Sequence, residues 1–357
     1  MLKVIERRTR GRNPRTIKEY EHVNNVDMRA EQEFIDYCEQ ELNLTIQRIN
    51  EMDRSCLRYV KFKIPKRNGK TREINAPSEN LKAIQKEIVS LIRDKFRIVE
   101  SDNAFAYVKH RSTFMAQERH KDNESKWFLK IDISDFFPSC KTELVLDNLC
   151  NIYPISCFRE AYQEAFKMLI GAYCFLDGGL PQGAPSSPLL SNLIFIGYDV
   201  AINKYLKVLE EMYDTKFVYT RYADDMEISA HKKFDEKVVI EELKKLIHPF
   251  VIKDEKTSFG NNNVIGVWCL GILYNNANEF SLGATNRKDL EHAILNMISA
   301  VRDGDEYELQ DAYHWLGKIN YFKQINKTQT EGIIAKYDKK FEFNTMQFLK
   351  DIVNKKK

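Results

Sequence analysis

The sequence lacks the marks of a secreted, membrane-spanning or zinc-knuckle protein. Its seven cysteines (Cys38, Cys56, Cys140, Cys150, Cys157, Cys174 and Cys269) include no Cys-x-x-Cys pair, so neither a zinc site nor a disulfide framework is indicated. They read as buried or free thiols of a reducing compartment. No stretch reaches the ~18 apolar residues of a membrane span. Residues 1–11 carry charge without the apolar run of a leader, so a soluble, cytoplasmic protein with no membrane partner is expected. An excess of one charge is missing too. With 55 basic and 52 acidic residues the net charge is +3, and global charge does not announce nucleic acid. There is no internal repeat and no low-complexity linker. The 357 residues allow two or three subdomains around a substantial core.

What the chain does hold is a distinctive placement of carboxylates. Tyr222-Ala223-Asp224-Asp225 lies between Phe217–Tyr222 and Met226–Ser229, which read as a strand and its return, so the two acids fall at a hairpin tip. Such pairs also occur at plain solvated turns, because Asp tolerates turn geometry. A third acid, Asp132, lies upstream in Phe128-Leu129-Lys130-Ile131-Asp132-Ile133-Ser134-Asp135-Phe136-Phe137. There Leu129, Ile131 and Ile133 alternate with Lys130, Asp132 and Ser134, giving an apolar and a polar face, with Asp132 projecting off the sheet. Adjacent carboxylates at a turn, with a third on another strand, make a cage for two divalent cations. Such ions clamp the attacking and leaving oxygens of an in-line phosphoryl displacement. Two Mg2+ ions suit an all-oxygen site of this kind, with Mn2+ as the substitute. The expected chemistry is nucleotidyl transfer.

Between the two acid strands stands Leu180-Pro181-Gln182-Gly183-Ala184-Pro185-Ser186-Ser187-Pro188, which opens a long helix of apolar pattern. The order of Asp strand, LPQGxPxSP loop and YADD hairpin resembles motifs A, B and C of a reverse transcriptase. Within that family it is most similar to the bacterial branch of retron, group II intron and defence-associated enzymes. The similarity covers roughly residues 60–340. It implies an α+β, right-hand polymerase fold with fingers, a palm built on an antiparallel sheet, and a helical thumb. The boundaries expected are 1–60 for an N-terminal basic arm and helix, 61–127 for fingers, and 128–139 for the motif A part of the palm. They continue with 140–177 for a second fingers segment, 178–285 for the palm with motifs B to E, and 286–357 for the thumb.

The resemblance also implies roles for individual residues. Asp132 and Asp224 would be bridging metal ligands, Asp225 the third carboxylate, and the Ile133 carbonyl a backbone ligand. Asp135, three residues on, is expected to face the other side of the strand and to take no part. Lys66, Lys70 and Arg72 flank the Asn68-Gly69 turn of a basic hairpin and would neutralise the incoming triphosphate; a solvated edge is the plainer reading. Arg111, in Ala106-Tyr107-Val108-Lys109-His110-Arg111-Ser112, would lie along the template. Phe137 would exclude a ribose 2′-hydroxyl, or else belong to the core. Gln182 and Gly183 would bring backbone close to the nascent pair. Lys256 would approach the pyrophosphate leaving group, or be a surface lysine. Leu270 and Gly271, in Cys269-Leu270-Gly271-Ile272-Leu273-Tyr274-Asn275, would form the primer grip, or strand core with a bulge glycine. The basic residues Arg7, Arg8, Arg10, Arg12, Arg15 and Lys18 would either contact phosphates or solubilise the chain.

Helical stripes frame this core. Phe34, Cys38, Leu42, Ile46 and Ile49 mark a helix over 29–53, and Leu290, Ala293, Ile294, Met297, Ile298 and Val301 mark another, stopped by Gly304. Leu309, Ala312, Leu316, Ile319 and Phe322 make a further stripe, and Ile333, Ile334, Tyr337 and Phe341 one more. Two retron signatures are only partly kept, as Ala116-Gln117-Glu118-Arg119-His120 and as Cys269-Leu270-Gly271. No room is expected after the thumb for an RNase H, endonuclease or maturase extension. The function expected is RNA-directed DNA synthesis in antiphage defence. Its partners would be deoxynucleotides, a dedicated non-coding RNA template, a DNA or RNA–DNA product and an effector or toxin protein. Alternatives are template-independent DNA synthesis at the same site, an RNA-binding scaffold of a defence ribonucleoprotein, and an RNA-dependent RNA polymerase. The last lacks its usual Gly-Asp-Asp and polar sugar-selecting residue here.

Overall fold

Period-two and period-3.6 patterns become the elements below, over the residues that the computed structural model describes: 2–8, 16–22, 28–65, 69, 71–262, 267–275 and 277–355. Strands β1 (Leu2–Arg8) and β2 (Thr16–His22) precede α1 (Met28–Glu51), the hairpin β3 (Tyr59–Pro65) and β4 (Thr71–Pro77), and α2 (Glu79–Ser90). Next come α3 (Thr113–Asp122), β5 (Trp127–Asp132), the one-turn α4 (Phe136–Ser139), α5 (Thr142–Cys150), α6 (Glu160–Tyr173) and α7 (Ser187–Tyr213). Then follow β6 (Phe217–Tyr222), β7 (Asp225–Ala230), α8 (Glu236–Leu246), β8 (Ser258–Asn261), β9 (Val267–Cys269), β10 (Ile272–Tyr274) and β11 (Phe280–Ser281). The chain closes with α9 (Gly283–Asp303), α10 (Leu309–Phe341) and α11 (Thr345–Lys355). Two compact units result, Met1–Val99 with Cys140–Ile194, and Glu100–Ser139 with Phe195–Lys357.

In the first unit, β1 and β2 pair antiparallel, with Leu2 opposite His22 and Arg8 opposite Thr16. Arg10, Arg12 and Arg15 lie outside the described residues, as do the side chains of Arg7, Arg8 and Lys18. The α1 helix buries Ile35, Cys38, Leu42, Thr45 and Ile49, so that of the predicted stripe Cys38, Leu42 and Ile49 are buried while Phe34 and Ile46 are half-buried. Glu39 is 1% exposed on the same helix and is satisfied by Arg159, whose backbone N–H and Nε each donate to it at 2.7 Å. Burying that carboxylate would be prohibitive without such donors. Gln85 of α2 donates to both Tyr59 Oη and the Tyr173 carbonyl at 2.7 Å, tying β3 to α6. The β3–β4 hairpin runs in register from Tyr59–Pro77 to Pro65–Thr71, and Gly69 takes a positive φ of 77° in its turn. Lys66 and Lys70 fall outside the described residues.

The second unit is built on a four-stranded antiparallel sheet of order β6-β7-β5-β8 and a three-stranded one of order β11-β10-β9. The helices α9, α10 and α11 pack with the latter in one hydrophobic cluster that includes Leu290, Ile294, Ile319, Phe322, Tyr274 and Leu349. Gly304 ends α9 with φ 73°, the left-handed cap its position suggested. Two expectations change here. The last two predicted stripes belong to one element, α10, which carries a non-helical residue at Asn326 (φ −151°, ψ 96°). Asn326 Nδ2 donates to the Phe280 carbonyl at 2.8 Å and its Oδ1 accepts from Gln329 N at 2.9 Å, so side-chain bonds replace the missing helical ones. A further helix, α11, then follows. The expected polar face of β5 is also only partly polar. Phe128 shares the parity of Lys130 and Asp132 yet is fully buried, its ring 5.0 Å from that of Tyr274.

Candidate active site

Three rungs of one sheet face build the site. Register places Asp132, Asp225 and Tyr222 across β5, β7 and β6; the next rung is Lys130, Glu227 and Thr220; the third is Phe128, Ser229 and Val218. Alternation directs all nine side chains to the same face. The third rung is closed over by α3. His120 is fully buried there, with Nδ1 2.6 Å from Ser229 Oγ and Nε2 2.8 Å from Thr220 Oγ1. Burial pushes its pKa down, which suits a neutral ring held between two hydroxyls. The histidine kept from the retron-like pattern is thus a brace for β6 and β7.

The opposite face of the sheet carries Leu129, Ile131, Met226 and Ile228, all buried. In their midst Arg221 is 0% exposed and Asp199 of α7 is 1% exposed. Arg221 Nε donates to Asp199 Oδ1 at 3.1 Å, Nη2 donates to Oδ2 at 3.0 Å, and Tyr219 Oη donates to Oδ1 at 2.7 Å. Burial alone would lower the arginine pKa, but Asp199 outweighs it and holds it above the usual value. The strand leading into the acidic turn is thereby pinned to α7 by a paired, hydrogen-bonded charge.

At the turn itself, Tyr222 and Asp225 pair to close a two-residue loop, and Ala223 takes the positive φ (58°) that such a tight hairpin demands. Asp224 occupies the tip, half-buried, and its carbonyl accepts from Ile133 N at 3.0 Å, which ties the tip to the end of β5. Asp135 lies beyond the strand. It is exposed, has φ 43°, and its carbonyl accepts from Ser139 N at 2.9 Å at the start of α4. Asp135 thus sits in a turn beyond β5, so strand alternation does not set the face it takes.

Electrostatics make the first rung unusual. Asp225 is pushed up to about 7, by burial and then by the charges of Asp224 and Asp132. Because this side chain is exposed, repulsion among the three acids is the cause that carries weight. Lys256 answers part of that charge. It ends a 3₁₀ turn, Asp254–Lys256, anchored by the Lys253 N–H to the Asp132 carbonyl at 2.8 Å, and its Nζ donates to Asp132 Oδ1 at 2.5 Å. That hydrogen bond raises the lysine pKa. Lys256 is thus a partner of the acids and not a stray surface lysine. Among the described residues no three acid, histidine or cysteine side chains are drawn together into a ready-made cation site. The donor set nonetheless fits a hard divalent ion, being all oxygen, anionic and short of compensating charge.

Around the acids, Leu270 and Gly271 form the β9–β10 turn with φ 48° and 83°, and Leu270 lines a cavity of about 280 Å³ together with Asp225 and Glu227. Phe136 is 5% exposed in the core, with rings of Phe195 and Phe250 at 5.3 and 6.3 Å. Phe137 is half-buried instead, 6.3 Å from the exposed Tyr107 ring, so the adjacent phenylalanines divide between core and surface. Arg111 corrects an expectation. Its Nη1 donates to the carbonyls of Ser101 and Ala104 at 2.5 and 2.6 Å and its Nη2 to Asp102 Oδ1 at 3.1 Å, so the guanidinium is spent on its own loop and not presented to a template.

Arg72, Gln182 and Gly183 belong to the first unit. There the Gln182 carbonyl accepts from Asn75 N at 2.7 Å, and Gly183 has φ 116°. A Cβ on Gly183 would lie 2.8 Å from Ile74 Cγ2 and 3.2 Å from the Asn75 carbonyl oxygen. Close approach to β4 is what requires glycine. Sequence reasoning missed Glu227 and the Arg221–Asp199 pair. Glu227 could have been found as the residue two after Asp225 on the same face, whereas the pair spans 22 positions and has no local signature.

Comparison with known proteins finds retron reverse transcriptases among the relatives of this chain. The Ec83 retron reverse transcriptase of Escherichia coli is 27% identical over 80% of this chain and 88% of that protein. The Ec73 retron reverse transcriptase of the same organism is 31% identical over 51% of this chain and 56% of that protein. The Mx65 retron reverse transcriptase of Myxococcus xanthus is 30% identical over 77% of this chain and 63% of that protein. The chain thus spans somewhat less than two thirds of two of these curated relatives. A solved telomerase structure from Candida albicans aligns with a TM-score of 0.43 at 12% identity, over 84% of this chain and 64% of that one, a level that leaves the family to be decided by sequence. No helix among the described residues is long and apolar enough to cross a membrane. The family profile of reverse transcriptase (RNA-dependent DNA polymerase) matches residues 64–317, well over half of the chain, and the chain belongs to that family, with its α+β right-hand polymerase fold.

Proposed function

We propose that this chain is an RNA-directed DNA polymerase that joins deoxynucleotides to a 3′-hydroxyl at the Asp132, Asp224 and Asp225 rung. The observation that carries the reading is the register of Asp132 opposite Asp225, with Asp224 on the adjoining turn and Lys256 on Asp132. Asp132, Asp224, Asp225 and the Ile133 carbonyl would hold two magnesium ions, for which manganese substitutes. When bound, these supply charge stabilisation at the attacking and leaving oxygens. The residues around them orient and select. Lys256, released from Asp132, has the reach and charge to meet the leaving pyrophosphate. Phe137 occupies the volume of a ribose 2′-hydroxyl. Arg72, with Lys66 and Lys70, neutralises the triphosphate, Gln182 and Gly183 set backbone against the nascent pair, and Leu270 with Gly271 grips the primer.

In this reading residues 61–127 and 140–177 act as fingers, 128–139 and 178–285 as palm, and 286–357 as thumb. The template is a dedicated non-coding RNA, the product DNA or an RNA–DNA hybrid, and the setting antiphage defence with an effector protein in the cytoplasm. The retron relatives support the RNA template, and the resemblance to defence enzymes supports the rest. Primer extension on a preannealed RNA template with magnesium tests the core of it. Asp132→Asn and Asp224→Asn should each lower turnover by about 100-fold or more while the chain stays folded by circular dichroism. Full-rate synthesis by both variants would remove the site from these residues.

A further inference from the structure

Tyr107 holds a conformation that its own burial does not explain. Its φ is 63°, a left-handed region that bulky side chains rarely enter, yet the residue is 47% exposed. Outliers of this kind persist where the surrounding structure fixes them, and they gather at functional sites. Here the chain is fixed before and after the residue. Upstream, Ala104 forms a parallel bridge to Arg221, with Arg221 N donating to the Asn103 carbonyl at 2.7 Å and Phe105 N to the Arg221 carbonyl at 2.8 Å. Asn103 Nδ2 adds a bond to the Tyr219 carbonyl at 2.8 Å. The segment thus lies along the edge of β6, the strand that leads into the acidic turn. Downstream, Arg111 N donates to the Val108 carbonyl at 3.2 Å, and its guanidinium reaches back to Ser101, Asp102 and Ala104. The arginine that is not presented to a template therefore closes the short loop that carries Tyr107.

The loop brings Tyr107 to Phe137, with ring centroids 6.3 Å apart at an angle of 46°, within the range of attractive aromatic pairs. Phe137 stands on the one-turn helix α4 and is only half-buried, so the core does not enclose its ring. Phe136 packs against it edge-on at 5.5 Å, and Tyr107 is a second aromatic neighbour. A ring that rejects a hydroxyl by contact must be unable to swing aside, since a gate that yields penalises the wrong sugar less. We infer that Tyr107 is the backstop of Phe137, holding that ring in place so that deoxyribose is chosen over ribose. This rests on the reading of Phe137 as the sugar-selecting ring. Tyr107 is then a positioning residue that acts through Phe137 and not on the sugar itself.

The test compares kcat/KM for a ribonucleotide and its matching deoxynucleotide, each added once by the full chain to a preannealed primer on an RNA template. Because the ratio is taken within each protein, a general loss of activity does not imitate a change in it. Tyr107→Phe keeps the ring and should keep the wild-type ratio. Tyr107→Gly removes the ring and suits a φ of 63°, so its melting temperature should stay close to the wild type while relative ribonucleotide use rises on the order of fivefold. Tyr107→Asn, which also tolerates this backbone region, is the second ringless variant and should match it. In a Phe137→Val background, Tyr107→Gly should add nothing, because the ring it supports is gone. A wild-type ratio in both ringless variants would overturn the proposal, as would their full effect added on top of Phe137→Val. Weaker template binding with unchanged sugar choice would also overturn it, and would move Tyr107 to the template path. An unchanged ratio in Phe137→Val alone would bring down the gate and this proposal together. A relaxed ratio in Phe137→Val beside wild-type ratios in the ringless variants brings down the proposal alone.

Discussion

Asp225 shows how one residue couples stability to the chemistry of its site. Its pKa of about 7 lies above that of an ordinary carboxylate, so the folded chain holds a proton there that the unfolded chain releases. Stability from this group is therefore fullest below the unfolded pKa, near 4, and is lost as pH rises through about 7. Metal-free protein should melt at a higher temperature at pH 5.5 than at pH 8. Asp225→Asn should flatten that difference, and magnesium should restore the wild type at pH 8 by answering the same charge. Thermal scans of both proteins with chelator and with magnesium read all of this; an identical pH profile in the variant would remove Asp225 as its source. Phe137 is the other single-residue case. Its ring is half-buried beside Tyr107 while Phe136 takes the core position, so trimming it leaves the core intact. Phe137→Val should raise ribonucleotide incorporation relative to deoxynucleotide by roughly tenfold or more, because removing a clash relaxes selection without improving the proper substrate. Unchanged sugar choice in competition assays would reject the gate.

Among the elements, strands and turns were the most legible from sequence. The hairpin β6–β7 and its acidic tip follow from alternation broken by a two-residue turn, and both strands stand where the pattern put them. What sequence hid is what depends on distant partners. The α10 irregularity at Asn326 exists because its amide meets the Phe280 carbonyl, 46 residues away. Arg111 reads as a free cation until Ser101, Asp102 and Ala104 are seen folded around it. The Gly183 loop makes a testable case at this scale. Gly183→Ala would force a Cβ to 2.8 Å from Ile74 at φ 116°, a backbone region alanine rarely visits. We expect a loss of about 1–3 kcal/mol in denaturant titration. Adding Ile74→Ala should recover only the part due to the side-chain clash. Full recovery would mean that the backbone is unstrained, and no loss in the single variant would mean that the loop does not depend on glycine.

At the scale of the molecule, the family was legible because three ordered motifs constrain one another, while the nucleic-acid partner was not. Net charge of +3 spread over 357 residues carries no long-range signature, so the partner must be read from local clustering. The densest cluster is Arg7, Arg8, Arg10, Arg12 and Arg15, within and after a strand that pairs with β2 as far as His22. Because β1 and β2 pair along their whole lengths, removing residues 1–22 deletes a complete ribbon, whereas a cut at residue 18 would leave half of β2 without its partner. If these arginines contact phosphates, each such ion pair releases counterions, and the affinity for RNA falls steeply with salt. Deleting 1–22 should then weaken retention of co-purified RNA and reduce the slope of log affinity against log salt by several units, about 0.7 for each single-stranded phosphate that the arm no longer neutralises. Extension of a preannealed primer on its template should persist, since the acidic rung and its supports lie elsewhere in the sequence. An unchanged salt slope would return the arm to a solubilising role. DNA synthesis by full-length protein that carries no enriched RNA from the cell would favour template-independent addition at the same acids.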